Sequence, residues 1–317
     1  MARRRRFGKK LFKALVPILL IVVIAAAIAL GSIVYGITRP PRQSYLVTAQ
    51  SFSQISGSAL KVTDEDWQNR DGTMARGWLL RGAEGAPAVV LLHRYGGDRS
   101  WLLNLGIKIN ETTNFTILWP DLRGHGMNPP VGYSGLGSIE GDDLVGAVDF
   151  LRTVKGYNQK PLVGESVGAY GVELGAYAAL SAASHDARLR VLVLDSVPSN
   201  PDDLVNGSVI GDVGVNNPVL LALARMAIRI YFLGRYENKS SCELAHKIQN
   251  QRVLLLAGAD NNLRDSTVSL VKCFPNAGNL ETKLDLPLTG FTSSSATGEQ
   301  GEGYDRPVID FLNKSLE

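Results

Sequence analysis

The sequence predicts an α/β protein: a mostly parallel sheet covered by helices on both faces, preceded by one apolar N-terminal helix. Three observations carry this. Short continuous apolar runs at 88–92, 116–119, 161–163, 191–194 and 253–257 are separated by segments long enough to hold helices, as expected of strands buried on both faces and joined by crossover helices. The pentapeptide Gly164-Glu165-Ser166-Val167-Gly168 stands between a strand-like stretch and a helix-like one, Ala169 to Ala183. Residues 14–37 form an uncharged stretch of Leu, Ile, Val and Ala.

In chain order, residues 1–13 read as a basic cytoplasmic tail and 14–37 as a transmembrane anchor, about 36 Å long as a helix and so able to span a bilayer with some tilt. A signal-peptide core is shorter, about 7 to 15 apolar residues, so a retained anchor fits better. The small residues of 25–32 leave a cleaved leader as the alternative. The first 42 residues hold nine basic groups and no acidic one; since the whole chain is +3, the remainder is 3 − 9 = −6. Basic charge ahead of the helix predicts a single-pass protein with a cytoplasmic N-terminus and an extracytoplasmic C-terminal domain. The acidic balance of that domain gives no support to nucleic-acid binding.

Residues 38–45, with Pro40-Pro41-Arg42-Gln43, read as an extended linker. Residues 46–52, 60–64 and 74–80 have strand-like texture, with a turn at Asn69-Arg70-Asp71-Gly72, and suit an antiparallel opening to the sheet. Ser138 is a candidate N-cap for a helix bearing Glu140, Asp142 and Asp143 in its first turns and Leu144, Val148 and Leu151 on one face, with Gly156 helping to end it. Residues 199–236 depart from the alternation: 202–215 reads as loop and 219–233 as an apolar helix, together a cap insertion or else an ordinary crossover helix after a long loop. Residues 289–303 read as a polar surface loop before a final helix over 307–316. Cys242 and Cys273 either pair or remain two core thiols, and no ligand spacing for a metal occurs.

Three motifs follow apolar runs in order: His93-Arg94-Tyr95-Gly96-Gly97, Asp121-Leu122-Arg123-Gly124-His125-Gly126, and Gly164 to Gly168. In this set residues 46–317 resemble the α/β-hydrolase superfamily, especially its bacterial serine esterases and aminopeptidase-like members. The resemblance implies the α/β-hydrolase fold with a small helical cap. It also implies a serine hydrolase acting on a carboxylic ester or peptide-like substrate, with no cofactor. Ser166 then matches the nucleophile on a strained turn whose glycines avoid clashes. The Val167 N–H, with that of Arg94 or Tyr95, would form the oxyanion hole. Asp260 occupies the position of the triad acid, ahead of Asp195.

The triad is degenerate. No histidine follows His246, and Phe291 or Thr292 stands where the resemblance places the imidazole. A serine hydroxyl without an adjacent base is a poor nucleophile. His125 or His93 could act as surrogate base, although each is also a usual residue of its motif and can serve simply to hold loop backbone. Glu299 and Glu302, on the expected loop, are further candidates. His185 and His246 read as structural or exposed, and Glu165 as a contact beneath the turn. The competing reading is a pseudo-hydrolase that binds a ligand or partner without hydrolysis.

Overall fold

The computed structural model describes residues 2–41, 44–56, 61–259, 261–292 and 298–317. Two compact units emerge: residues 1–37 with 205–234, and residues 38–204 with 235–317.

The larger unit is built on one sheet. Its strands, among the described residues, are β1 (Val62–Gln68), β2 (Met74–Leu80), β3 (Ala88–Leu92), β4 (Thr116–Asp121), β5 (Val167–Val172), β6 (Leu189–Asp195), β7 (Arg252–Gly258) and β8 (Leu280–Leu286). Their order is β1-β2-β4-β3-β5-β6-β7-β8. β2 runs antiparallel to β1 and to β4, and every later pairing is parallel.

The strands β3 to β7 lack a polar face because both of their faces are covered. In β3, Ala88, Val90 and Leu92 join one apolar cluster while Val89 and Leu91 join another. In β6, Leu192 and Leu194 alternate in the same way with Val191 and Val193. Helices α4 (Glu140–Thr153) and α5 (Leu174–Ala183) fill the first cluster. Helices α3 (Leu103–Thr113) and α10 (Glu299–Leu316) fill the second. The short helices α8 (Ser241–Ala245) and α9 (Arg264–Leu270) flank the later strands, beside a Cys242–Cys273 disulfide.

The smaller unit contains α1 (Ala2–Ile37), most of α6 (Pro201–Val213) and α7 (Pro218–Tyr231), with α7 packed against α1. Residues 12–37 of α1 are long and apolar enough to cross a membrane, with a mean hydropathy of 2.9.

Several elements differ from the sequence reading. Residues 161–163 form no strand: Leu162 and Val163 are buried within the loop that enters β5, which begins only at Val167. Residues 49–56 form a helix, α2, in place of the expected strand over 46–52. Residues 202–213 are helical rather than loop, since Asn200 Oδ1 accepts the Asp202 N–H at the start of α6. Ser138 does not cap α4. The Glu140 carboxylate takes the N–H groups of Gly135 and Gly137, while the Ser138 hydroxyl is buried without a hydrogen-bond partner among the described residues. The final helix starts at Glu299 with Pro307 inside it, so Glu299 and Glu302 belong to a helix and not to the loop.

Candidate functional site at the C-terminal edge of the sheet

In a parallel sheet, the loops leaving the C-terminal ends of the strands converge on one edge, where α/β proteins place their ligands. Here that edge collects His93 to Gly97 after β3, Leu122 to Gly126 after β4, Glu173 after β5, Asp195 and Ser196 at the end of β6, and Pro287 to Thr292 after β8.

Ser166 is not among them. Its carbonyl accepts the Ala88 N–H at 3.2 Å, and Ala88 is the first residue of β3. His93 follows the last residue of the same strand, so Ser166 lies about 17 Å away along it, at the opposite edge. Val167 pairs with Ala88 and Leu189 inside the sheet. The pentapeptide is therefore a strand entry. Arg152 donates to the carbonyls of Gly164 and Glu165, and a Cβ at Gly164 would meet the Gly85 carbonyl oxygen at 2.3 Å. Two sequence expectations are thereby corrected: Ser166 as an elbow nucleophile, and Val167 as an oxyanion donor beside it. The physical reason is register, because six further residues are needed to carry the chain across the sheet.

The sharp strand-to-helix turn instead falls at Glu173, which links β5 to α5 with φ 53° and ψ −105°. A non-glycine residue at positive φ stores backbone strain, which persists only where its surroundings hold it. Both flanking glycines are required. A Cβ at Gly171 would lie 2.3 Å from the Gly175 carbonyl, and one at Gly175 would lie 2.3 Å from the Leu92 carbonyl oxygen. The turn is thus Gly171-Val172-Glu173-Leu174-Gly175, with the spacing of a nucleophile elbow and a glutamate in the serine position. The sequence held this signal: the two glycines lie four apart, at the junction of an apolar run and an alanine-rich helix. The residue midway between them is a glutamate rather than a serine.

The Tyr95 backbone N–H, expected as an oxyanion donor, is brought to this turn and donates to Glu173 Oε2 at 3.1 Å. Burial is the largest influence on that carboxyl and raises its pKa to about 7, against the opposing pull of Arg94 and the Tyr95 N–H. The Arg94 guanidinium sits 4.6 Å from the Trp101 ring centroid and 4.3 Å from that of Phe291. Phe291 therefore puts an aromatic ring on Arg94 in the loop from which the resemblance would bring a histidine.

Among the described residues, neither His93 nor His125 is hydrogen-bonded to a nucleophile. His93 Nε2 accepts the Leu122 N–H at 3.0 Å, which leaves Nδ1 to donate to the Arg94 carbonyl at 2.7 Å. Both nitrogens are engaged by backbone, and burial lowers the pKa to about 4. His125 packs its ring against those of His93 and Tyr95, with centroids 5.1 and 5.4 Å apart. Its Nδ1 donates to the Arg123 carbonyl at 2.9 Å, and burial holds its pKa near 3. His125 Nε2 has no hydrogen-bond partner among the described residues, and His125 lines a cavity of about 20 Å³ together with Asn69 and Asp143, room for about one water. The surrounding loop is pinned by Arg123 to Asp143 and by Tyr45 to Asp121, the latter at 2.7 Å.

Asp260, the expected acid, lies outside the described residues. Asp195 is fully buried. Its Oδ2 accepts from the Gly290 N–H and the Tyr304 hydroxyl, and its Oδ1 from Ser196 at 2.8 Å. It thus ties the loop after β8 to the sheet. His185 is exposed, 3.4 Å from Asp142, and His246 is exposed beside the disulfide. Glu165 is exposed.

No protein-family model matches the chain, and no curated protein does either. Solved structures do match in fold. An esterase of Pyrococcus furiosus superposes with a TM-score of 0.67 at 19% identity, covering 88% of this chain and 98% of the esterase. A hyperthermophilic esterase of Pyrobaculum calidifontis gives 0.53 at 15% identity, covering 84% of this chain and 88% of the other. The acylaminoacyl peptidase of Pyrococcus horikoshii gives 0.56 at 16% identity over 86% of this chain and 44% of the peptidase. Together with the strand order, these similarities show that the chain has the α/β-hydrolase fold.

Proposed function

We propose that this chain is a membrane-anchored α/β-hydrolase-fold protein that binds a ligand or partner at the C-terminal edge of its sheet without serine-hydrolase turnover. One observation carries the reading: the elbow residue is Glu173, and its carboxylate takes the Tyr95 N–H that would otherwise serve an oxyanion. A serine hydrolase needs at that turn a hydroxyl with a base beside it and a free donor for the developing negative charge. Here the hydroxyl is absent, the donor is occupied by the protein itself, and Phe291 with Arg94 fills the approach expected of the base. The esterase and peptidase activities of the structural neighbours therefore do not transfer to Ser166. Anchoring is supported by the apolar span at 12–37. An extracytoplasmic position for the larger unit is supported by the basic residues ahead of that span and by the Cys242–Cys273 disulfide, a bond that persists in oxidising compartments.

The test is fluorophosphonate labelling of the full chain in detergent, beside Ser166→Ala and Glu173→Ser. The wild type is expected to remain unlabelled while folded. Labelling that disappears in Ser166→Ala would overturn the reading and restore the serine hydrolase acting on an ester or peptide-like substrate.

A further inference from the structure

Helix α7 is apolar on two sides. Leu221, Ala224 and Ile228 form its buried face. Val219, Leu223, Met226 and Ile230, spaced four, three and four residues apart, share another face and are exposed by 66%, 42%, 52% and 63%. Leu233, just past the helix end, is 87% exposed. An ordinary surface helix turns charged or polar groups toward water, so a second apolar stripe needs a covering phase. The same compact unit contains α1, against which α7 packs and whose residues 14–29 are exposed apolar groups. A bilayer surrounding α1 would therefore have α7 beside its point of exit. The preceding helix α6 and α7 meet at 119°, and Val213 and Val215 add exposed apolar groups at their junction.

We propose that the outer stripe of α7 is seated in the boundary between headgroups and acyl chains of the bilayer that α1 crosses. Arg225 and Arg229, four residues apart on the flank of the stripe, then stand at headgroup depth, where Arg225 also donates to Asn206 at 2.8 Å. Asp212, exposed beside Gly36 of α1, marks the aqueous rim. This inference rests on the anchor proposed above.

The test uses the full chain reconstituted into phosphatidylcholine vesicles, with an environment-sensitive fluorophore on Leu223→Cys, Ile230→Cys or, as anchor control, Ile21→Cys. The α7 labels are expected to lose roughly half their emission to lipids carrying a quencher high in the acyl chain, and the Ile21 label to lipids quenched deep in the chain. If Ile21 is quenched while the α7 labels respond only to aqueous iodide, the anchor stands and the α7 inference fails. Should the α7 labels be shielded from both quenchers, a second copy or a protein partner covers the stripe, and the inference fails again. Absence of quenching at Ile21 would sink the anchor and the inference together.

Discussion

The Tyr95 backbone N–H donates to Glu173 Oε2 at 3.1 Å, a charge-assisted hydrogen bond that joins the loop after β3 to the elbow after β5. A carboxylate so placed engages the Tyr95 N–H. It also places a group with a pKa near 7 at the centre of the edge.

That raised pKa has a stability consequence. The folded state holds the Glu173 proton more tightly than the unfolded chain does, so its contribution is fully present below the ordinary value of 4.5 and is lost as pH rises to about 7. Glu173→Gln keeps an acceptor for Tyr95 and removes the titration. The difference in Tm between variant and wild type should therefore grow in the variant's favour from pH 5 to pH 8, as measured by thermal melts across that interval. A constant difference would remove Glu173 from the pH response.

The buried histidines act in the opposite direction. His93 and His125 have folded pKa values near 4 and 3, below the ordinary 6.5, so their contribution is full above 6.5 and is lost as pH falls toward those values. Acid unfolding should be accompanied by proton uptake at both. His93→Phe should reduce that uptake and cost about 2 to 4 kcal/mol, because the Leu122 N–H and the Arg94 carbonyl lose their partner. Denaturant melts with a pH electrode in the cell measure both quantities.

At the elbow, Gly175→Ala should be severely destabilising. Its Cβ would fall 2.3 Å from the Leu92 carbonyl oxygen, and backbone on both sides must shift to relieve it. Ser166→Ala, in a loop at the opposite edge, should change stability by less than about 0.5 kcal/mol. Paired chemical denaturation of the two variants checks this, and similar losses in both would contradict the assignment of the elbow to Glu173.

The Cys242–Cys273 disulfide closes a loop with a sequence separation of 31. Loop-closure entropy predicts that its removal costs about 3 to 4 kcal/mol. Cys242→Ser with Cys273→Ser should lower the Tm and abolish the change in gel mobility that reduction produces in the wild type.

The architecture was legible in the chain before any fold was known. Apolar runs such as 88–92 and 253–257 have nowhere to go but a sheet covered on both faces, and the helix-length gaps between them impose parallel crossovers. The uncharged stretch at 14–37, long and apolar enough to cross a membrane, was equally plain, because its length is a property of the chain alone. The absence of a histidine beyond His246 was legible too, since a missing residue type requires no fold to detect.

The tertiary structure alone decided which of two glycine pairs makes the elbow. Gly164-Glu165-Ser166-Val167-Gly168 and Gly171-Val172-Glu173-Leu174-Gly175 have the same spacing, and each adjoins apolar residues on both sides. The choice depends on where β5 begins, which is fixed by pairing with β3 and β6 and by the packing of α5 on Leu92. Those partners lie about 20 to 80 residues away, beyond the reach of local pattern. A shift of seven residues moved the serine to the far edge of the sheet and put a carboxylate in its place.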